Sequence, residues 1–233
     1  MATLPDTLEA AISQSVEATQ AALAAGCKRL QIEILFPELK PMPVAQQYLQ
    51  QIPELGTQFK VFFADAGAAA LARRDWGETP YTLRGVNELL EPVTPEDEAF
   101  VFVAPTPVEV NTVEKICEQA GDRPCILLNP VLQDVSVVGI GYTARQLRER
   151  FLSQIETVYY LRPLDKGAVF RSYPSGWQVW WDNDDVEYKL IAEEATRPAG
   201  DRLDQILAES SPSQPQKKGF LQELQQFVRA LTQ

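Results

Sequence analysis

The chain has 233 residues, 45% of them apolar, with 21 Lys and Arg against 32 Asp and Glu for a formal charge of −11, and it contains no histidine. The acidity repels phosphate backbones, so sequence-independent nucleic-acid binding is disfavoured, and no run reaches the roughly 20 apolar residues of a membrane span. Without histidine the usual neutral-pH base and the commonest metal ligand are gone, and any chemistry must run on carboxylates, Lys, Tyr, Cys or a bound cofactor.

The opening MATLPDTLEAAISQSVE lacks the basic start and apolar run of a secretory leader. Apolar residues at helical spacing through TLPDTLEAAISQSVEATQAALAAG, with Pro5 near the start and Gly26 at the stop, predict a long amphipathic helix. KRLQIEILF follows as a strand, VAQQYLQQI as a helix and QFKVFFAD as a second strand, which leads through Asp65 and Gly67 into the small-residue helix of AGAAALARRDW. A polar connector then precedes the strand EAFVFVAP, the helix of TPVEVNTVEKICEQAG with Thr106 and Glu109 as a capping box, and the strand RPCILLNP. Strands read as continuous apolar runs and alternating with helices predict an α/β fold, a mainly parallel Rossmann-like sheet with helices on both faces.

Beyond Asp134 the pattern changes. DVSVVGIG is read as a short strand and TARQLRERFLSQI as a helix, after which TVYYLRPL, GAVFRS, WQVWWD and VEYKLIAEE follow at close intervals. Tight connectors and period-two alternation predict an antiparallel, aromatic-rich meander, either extending the main sheet or forming a separate flap. The organisation expected is one α/β domain over residues 1–210, with an α/β part to 156 and the meander over 157–195, then a linker over 211–218 and an amphipathic helix over 219–233. That last helix places Phe220, Leu224, Phe227 and Leu231 on one face, with Lys217, Lys218 and Arg229 against the acid Glu223.

In a parallel sheet ligands bind outside the carboxyl ends of the strands, where Glu38, Asp65, Thr106 and Asn129 fall. Asp65, Thr106 and Asn129 are therefore candidate ligand-binding residues; the same residue types are also the caps and turn formers that strand ends require. FFADAGAAALARRDW fails as a phosphate cradle, because a carboxylate stands before a single glycine, and it reads as an Asp65-capped helix packed closely on the sheet. GIGYTA matches a dinucleotide fingerprint through Gly139 and Gly141, with Asp165 where a ribose-binding acid would stand; against it, a meander follows where a second parallel strand belongs. DNDD over 182–185 reads as a charged hairpin turn, and Cys27, Cys117 and Cys125 as reduced core thiols, so neither a metal nor a cofactor is expected. Trp177, Trp180 and Trp181 put aromatics on both faces of the meander, which makes them, with the last helix, the expected interaction surface.

Several stretches together, QIEILFPEL, VFFADAGAAALAR, ILLNPVLQD, ARQLRERFLSQIETVYYLRPL, GAVFRSYPSGWQV and FLQELQQFVRAL, resemble an uncharacterised domain family of cyanobacteria and plastids. That family includes the plant low-photosystem-II-accumulation proteins and a domain fused behind a chloroplast adenylate kinase. The resemblance implies a photosynthetic setting, a cytoplasmic or stromal location with peripheral thylakoid contact, and photosynthetic membrane proteins or assembly factors as partners. It transfers no catalytic residue. The absence of a transit-peptide-like start favours the cyanobacterial cytoplasm. The expectation is a non-catalytic assembly or scaffolding factor, with a nucleotide or small-molecule site in the strand-end crevice as the alternative.

Overall fold

The computed structural model describes residues 3–88, 91–132, 142–182 and 188–210, the side chains of 142–144 and 210 excepted. Gly139, Gly141, most of the DNDD turn, and Phe220, Leu224, Phe227 and Leu231 lie outside the described residues. Contacts divide the chain into two units, Met1–Arg197 and Pro198–Gln233.

In the first unit the order is α1 (Leu8–Ala24), β1 (Arg29–Ile34), α2 (Pro41–Leu49), β2 (Phe59–Phe63), α3 (Ala66–Trp76), β3 (Thr82–Gly85), β4 (Ala99–Val103), α4 (Val110–Ala120), β5 (Cys125–Leu128), α5 (Tyr142–Arg150), β6 (Glu156–Leu164), β7 (Gly167–Ser172), β8 (Trp177–Asp182) and β9 (Tyr188–Glu194). The second unit contributes the described helix α6 (Asp201–Ser210), which carries Asp201 and Asp204 in its first turn, where the helix dipole favours acids. Local chemistry sets the helix ends. Thr7 caps α1 by accepting from the Ala10 N–H at 3.1 Å, and Gly26, at φ +91°, turns the chain out of the helix.

The nine described strands form one sheet in the order β3-β2-β4-β5-β1-β6-β7-β8-β9. The pairs from β3 through to β6 are parallel, and those from β6 to β9 antiparallel. The meander therefore continues the main sheet. Its first strand is also a parallel strand: β6 lies beside β1, with Ile32 opposite Tyr159 and Ile34 opposite Leu161, before β7 folds back on it. A parallel strand thus does follow the GIGYTA stretch, contrary to the sequence reading. The connector before EAFVFVAP contains β3, four residues with Arg84 at their centre, too short and too polar to register as an apolar run.

Two cores sandwich the sheet. On one face α1, α2 and α3 cover Leu30, Ile32 and Ile34 of β1, Val61 and Phe63 of β2, Val101 and Val103 of β4, and Leu161 and Phe170 of β6 and β7. On the other, α4, with Leu147 of α5 and Phe151, covers Phe62, Phe100, Phe102, Cys125 and Leu127. Strands β2, β4 and β5 are buried at every residue, whereas β1 alternates, with Leu30, Ile32 and Ile34 buried and Arg29, Gln31 and Glu33 only partly so. A central strand that spends one face on an amide and a carboxylate departs from the apolar run such a strand ordinarily shows.

Candidate functional site at the carboxyl edge of the sheet

Adjacent strands whose connections leave toward opposite faces open a crevice at their carboxyl ends. Two such junctions occur. Strand β2 leads to α3 on one face while its neighbour β4 leads to α4 on the other; likewise β1 leads to α2, and the next described helix after β5, α5, lies on the opposite face.

The β2/β4 junction is closed. Exposed Asp65 accepts the Ala68 N–H at 2.8 Å and caps α3, as expected. Thr106 heads the turn that precedes α4: its N–H and its hydroxyl both donate to the Glu109 carboxylate, at 2.8 and 2.6 Å, and its Oγ1 accepts the Val108 N–H at 3.3 Å. Between the strand ends, Phe62, Phe102, Val103, Pro105 and Val113 leave no room for a water molecule. On the other side of β2, the start of α3 comes close to Gly85 of β3, where a Cβ would stand 2.6 Å from the Ala66 nitrogen and 2.7 Å from the Asp65 carbonyl carbon.

At the β5/β1 junction Asn129, at φ +47°, a backbone region Asn tolerates, ties two strands together. Its side-chain oxygen accepts the Ile34 N–H at 2.7 Å, and its own N–H donates to the Ile32 carbonyl at 2.7 Å. β4 stands between β2 and β5, so the strands that lead to Asp65 and Asn129 are two inter-strand steps apart, about 10 Å. Glu38 lies exposed in the loop after β1 at φ +61°.

Over the polar face of β1 a cavity of about 490 Å³ opens, lined by the polar Gln31, Glu33 and Arg197 and the apolar Leu35, Pro130, Val131, Leu132, Leu152 and Ile155. Gln31 Nε2 donates to Thr157 Oγ1 at 2.7 Å and to Glu33 Oε2 at 3.2 Å. Arg197 stacks 4.9 Å above the Tyr160 ring and brings Nη1 to 3.7 Å from Glu33 Oε2. Burial pushes the Glu33 carboxyl above the ordinary carboxylate range, and the Arg197 charge pulls it partly back. Burial likewise raises the Tyr160 phenol. Sequence reading missed Gln31, Glu33 and Arg197; the available signal was the alternation in RLQIEI, which departs from the continuous apolar run of a strand buried on both faces.

A second, open groove of about 550 Å³ meets the cavity at Leu35 and runs along Phe36, Pro37, Arg162, Pro163, Leu164 and Asp165. Leu35, Phe36 and Val131 are 36%, 39% and 58% exposed, so the carboxyl edge of β5 and β1 carries a connected apolar rim. On the meander, Trp177 is buried edge-on against Tyr160 with the Arg171 guanidinium over its ring, and Trp180 packs partly buried against the first core; Trp181 stays half-buried. Cys27, Cys117 and Cys125 are free thiols. Contact between the Cys117 and Cys125 thiols pushes Cys117 up and draws Cys125 down. Among the described residues no group of three or more carboxylates and thiols is spaced to hold a metal ion, and no helix is long and apolar enough to cross a membrane.

Fold and edge together define a mixed α/β domain with helices on both faces of one sheet, a polar cavity over its central strand and an apolar rim at its carboxyl end. Within that class the chain belongs to the family described as a domain of unknown function (DUF1995), which matches residues 5–205. No solved structure matches the chain significantly.

Proposed function

We propose that the chain is a non-catalytic assembly or scaffolding factor that binds photosynthetic membrane proteins or their assembly factors at the thylakoid surface. The observation that carries this reading is the connected apolar rim of Leu35, Phe36 and Val131 beside two grooves. Single exposed apolar side chains are ordinary, whereas a contiguous patch rimmed by polar groups is what a protein partner covers. Strand-end residues elsewhere serve the fold: Asp65 caps, Thr106 closes a turn and Asn129 joins two strands. The photosynthetic setting, on the cytoplasmic side in a cyanobacterium or the stromal side in a plastid, rests on the resemblance of the quoted motifs. Residues 219–233, with Phe220, Leu224, Phe227 and Leu231 on one helical face by sequence pattern, supply the peripheral thylakoid contact in this reading.

The test is recovery of partners from solubilised thylakoids by the full chain, by a Leu35→Ser/Phe36→Ser variant and by a chain lacking residues 212–233. The rim variant is expected to lose its specific partners while still sedimenting with membranes, and the truncated chain to lose sedimentation. Unchanged partner recovery by the rim variant overturns the docking role.

A further inference from the structure

We infer that the cavity over β1 binds a neutral small molecule whose apolar body presents a hydrogen-bond donor beside an acceptor, as a cyclic amide does. The cavity shares Leu35 and Val131 with the partner rim, but its key residues, Glu33 and Arg197, are not those that test that rim.

Glu33 is the first reason. It sits on a strand with neighbours on both sides, its side chain only 12% exposed, where a well-packed apolar residue would serve stability as well or better. Among the described residues its carboxylate receives one hydrogen bond, from Gln31, and none from Arg197, whose 3.7 Å approach is too long to be one. A carboxylate has about four acceptor positions, so this one, which lines the cavity, keeps acceptor capacity beyond its bond to Gln31 among the described residues.

Arg197 is the second. Its guanidinium carbon lies 4.9 Å from the centre of the Tyr160 ring, a cation–π contact that holds its donors beside Glu33. An acceptor and a donor, held side by side by different elements, complement a group with a donor and an acceptor side by side. Their charges cancel locally, which disfavours a bare anion facing Glu33 or a bare cation facing Arg197 and leaves a neutral polar edge as the match. A phosphate would meet a single cation with a carboxylate beside it.

The apolar part of the lining is the third. Leu35, Val131, Leu132, Leu152 and Ile155 offer an aliphatic surface to the rest of the molecule, and about 490 Å³ lies within the range of small-ligand sites.

The experiment titrates the full chain with caprolactam, carbostyril and N-methylcarbostyril, following ligand signals by saturation-transfer NMR and affinity by calorimetry. Carbostyril or caprolactam is expected to bind saturably, and N-methylation, which removes the donor, to weaken carbostyril about tenfold or more, as loss of a hydrogen bond to a charged group does. Glu33→Leu is expected to weaken the cyclic amide by a similar factor and Arg197→Leu by less, both with an unchanged circular dichroism spectrum; if Glu33→Leu does not fold, Glu33→Gln is expected to weaken binding several-fold. Absence of saturable binding by both cyclic amides, equal binding of the N-methyl compound, or undiminished affinity in the folded Glu33 variant overturns the inference.

Discussion

The two junctions at the carboxyl edge have the same topological origin and opposite contents. Between β2 and β4, aromatic side chains fill the space, and the polar residues are absorbed as a helix cap and a turn clasp. Between β5 and β1, Asn129 locks the strands, but beside it the alternation of β1 puts an amide and a carboxylate under a cavity and leaves Leu35 and Phe36 in solvent. A change of direction in the connections makes room for a site. Whether the room is filled depends on which side chains the strands turn toward it.

The largest expected effect lies at the closed junction. Phe102 is fully buried and stacks on Phe62 with ring centroids 5.3 Å apart. Phe102→Ala is expected to cost about 3–5 kcal/mol in chemical denaturation, as removal of a buried aromatic does. A cost well under 1 kcal/mol would mean that the junction is not tightly filled and that the contrast with β5/β1 is overstated.

Asp65→Ala at the same junction removes a cap and is expected to cost about 1 kcal/mol. It should leave both partner recovery and cyclic-amide binding where they were. A loss of either, with stability restored by Asp65→Asn, would return Asp65 to the candidate ligand residues.

The smallest effect, opposite in sign, is expected at the open junction. Because burial raises the Glu33 carboxyl in the folded chain, the native state holds a proton that the unfolded chain releases, so this group's contribution to stability falls as pH rises from the ordinary value of 4.5 through the raised one and stays low above it. Glu33→Gln removes that penalty while keeping an acceptor for Gln31. The variant is expected to be as stable as the parent or slightly more so at neutral pH, with the difference vanishing below the ordinary carboxylate range. Thermal melts of both chains across the acid-to-neutral range check this, and a variant distinctly less stable at neutral pH would show that the Arg197 pairing outweighs burial.

Much of the fold was legible in the sequence because its signals are local. Helix periodicity, the Asp65 cap, the glycine stop at Gly26 and the apolar runs of β2, β4 and β5 each depend on neighbours within a few residues. β3 was hidden because four residues with an arginine in the middle make no apolar run; Arg84 instead donates to the Glu91 carbonyl at 2.9 Å, an interaction set by the returning loop. The dual nature of β6 was hidden for another reason. It reads as a meander strand because β7 and β8 follow it at close intervals, and only tertiary pairing reveals β1 as its parallel neighbour. The cavity assembles Gln31 and Glu33 from β1, Ile155 from the approach to β6 and Arg197 from beyond β9, and no spacing in the chain announces that convergence.

The most direct measurement for the proposed function is photocrosslinking with benzoylphenylalanine placed at position 36 on the open edge or at position 71 on α3, where Leu71 is comparably exposed at 42% against 39% for Phe36. In thylakoid preparations the account predicts discrete adducts with membrane proteins or assembly factors from position 36 and none of these from position 71. The same adducts from both positions, or no discrete adduct from position 36, would contradict it.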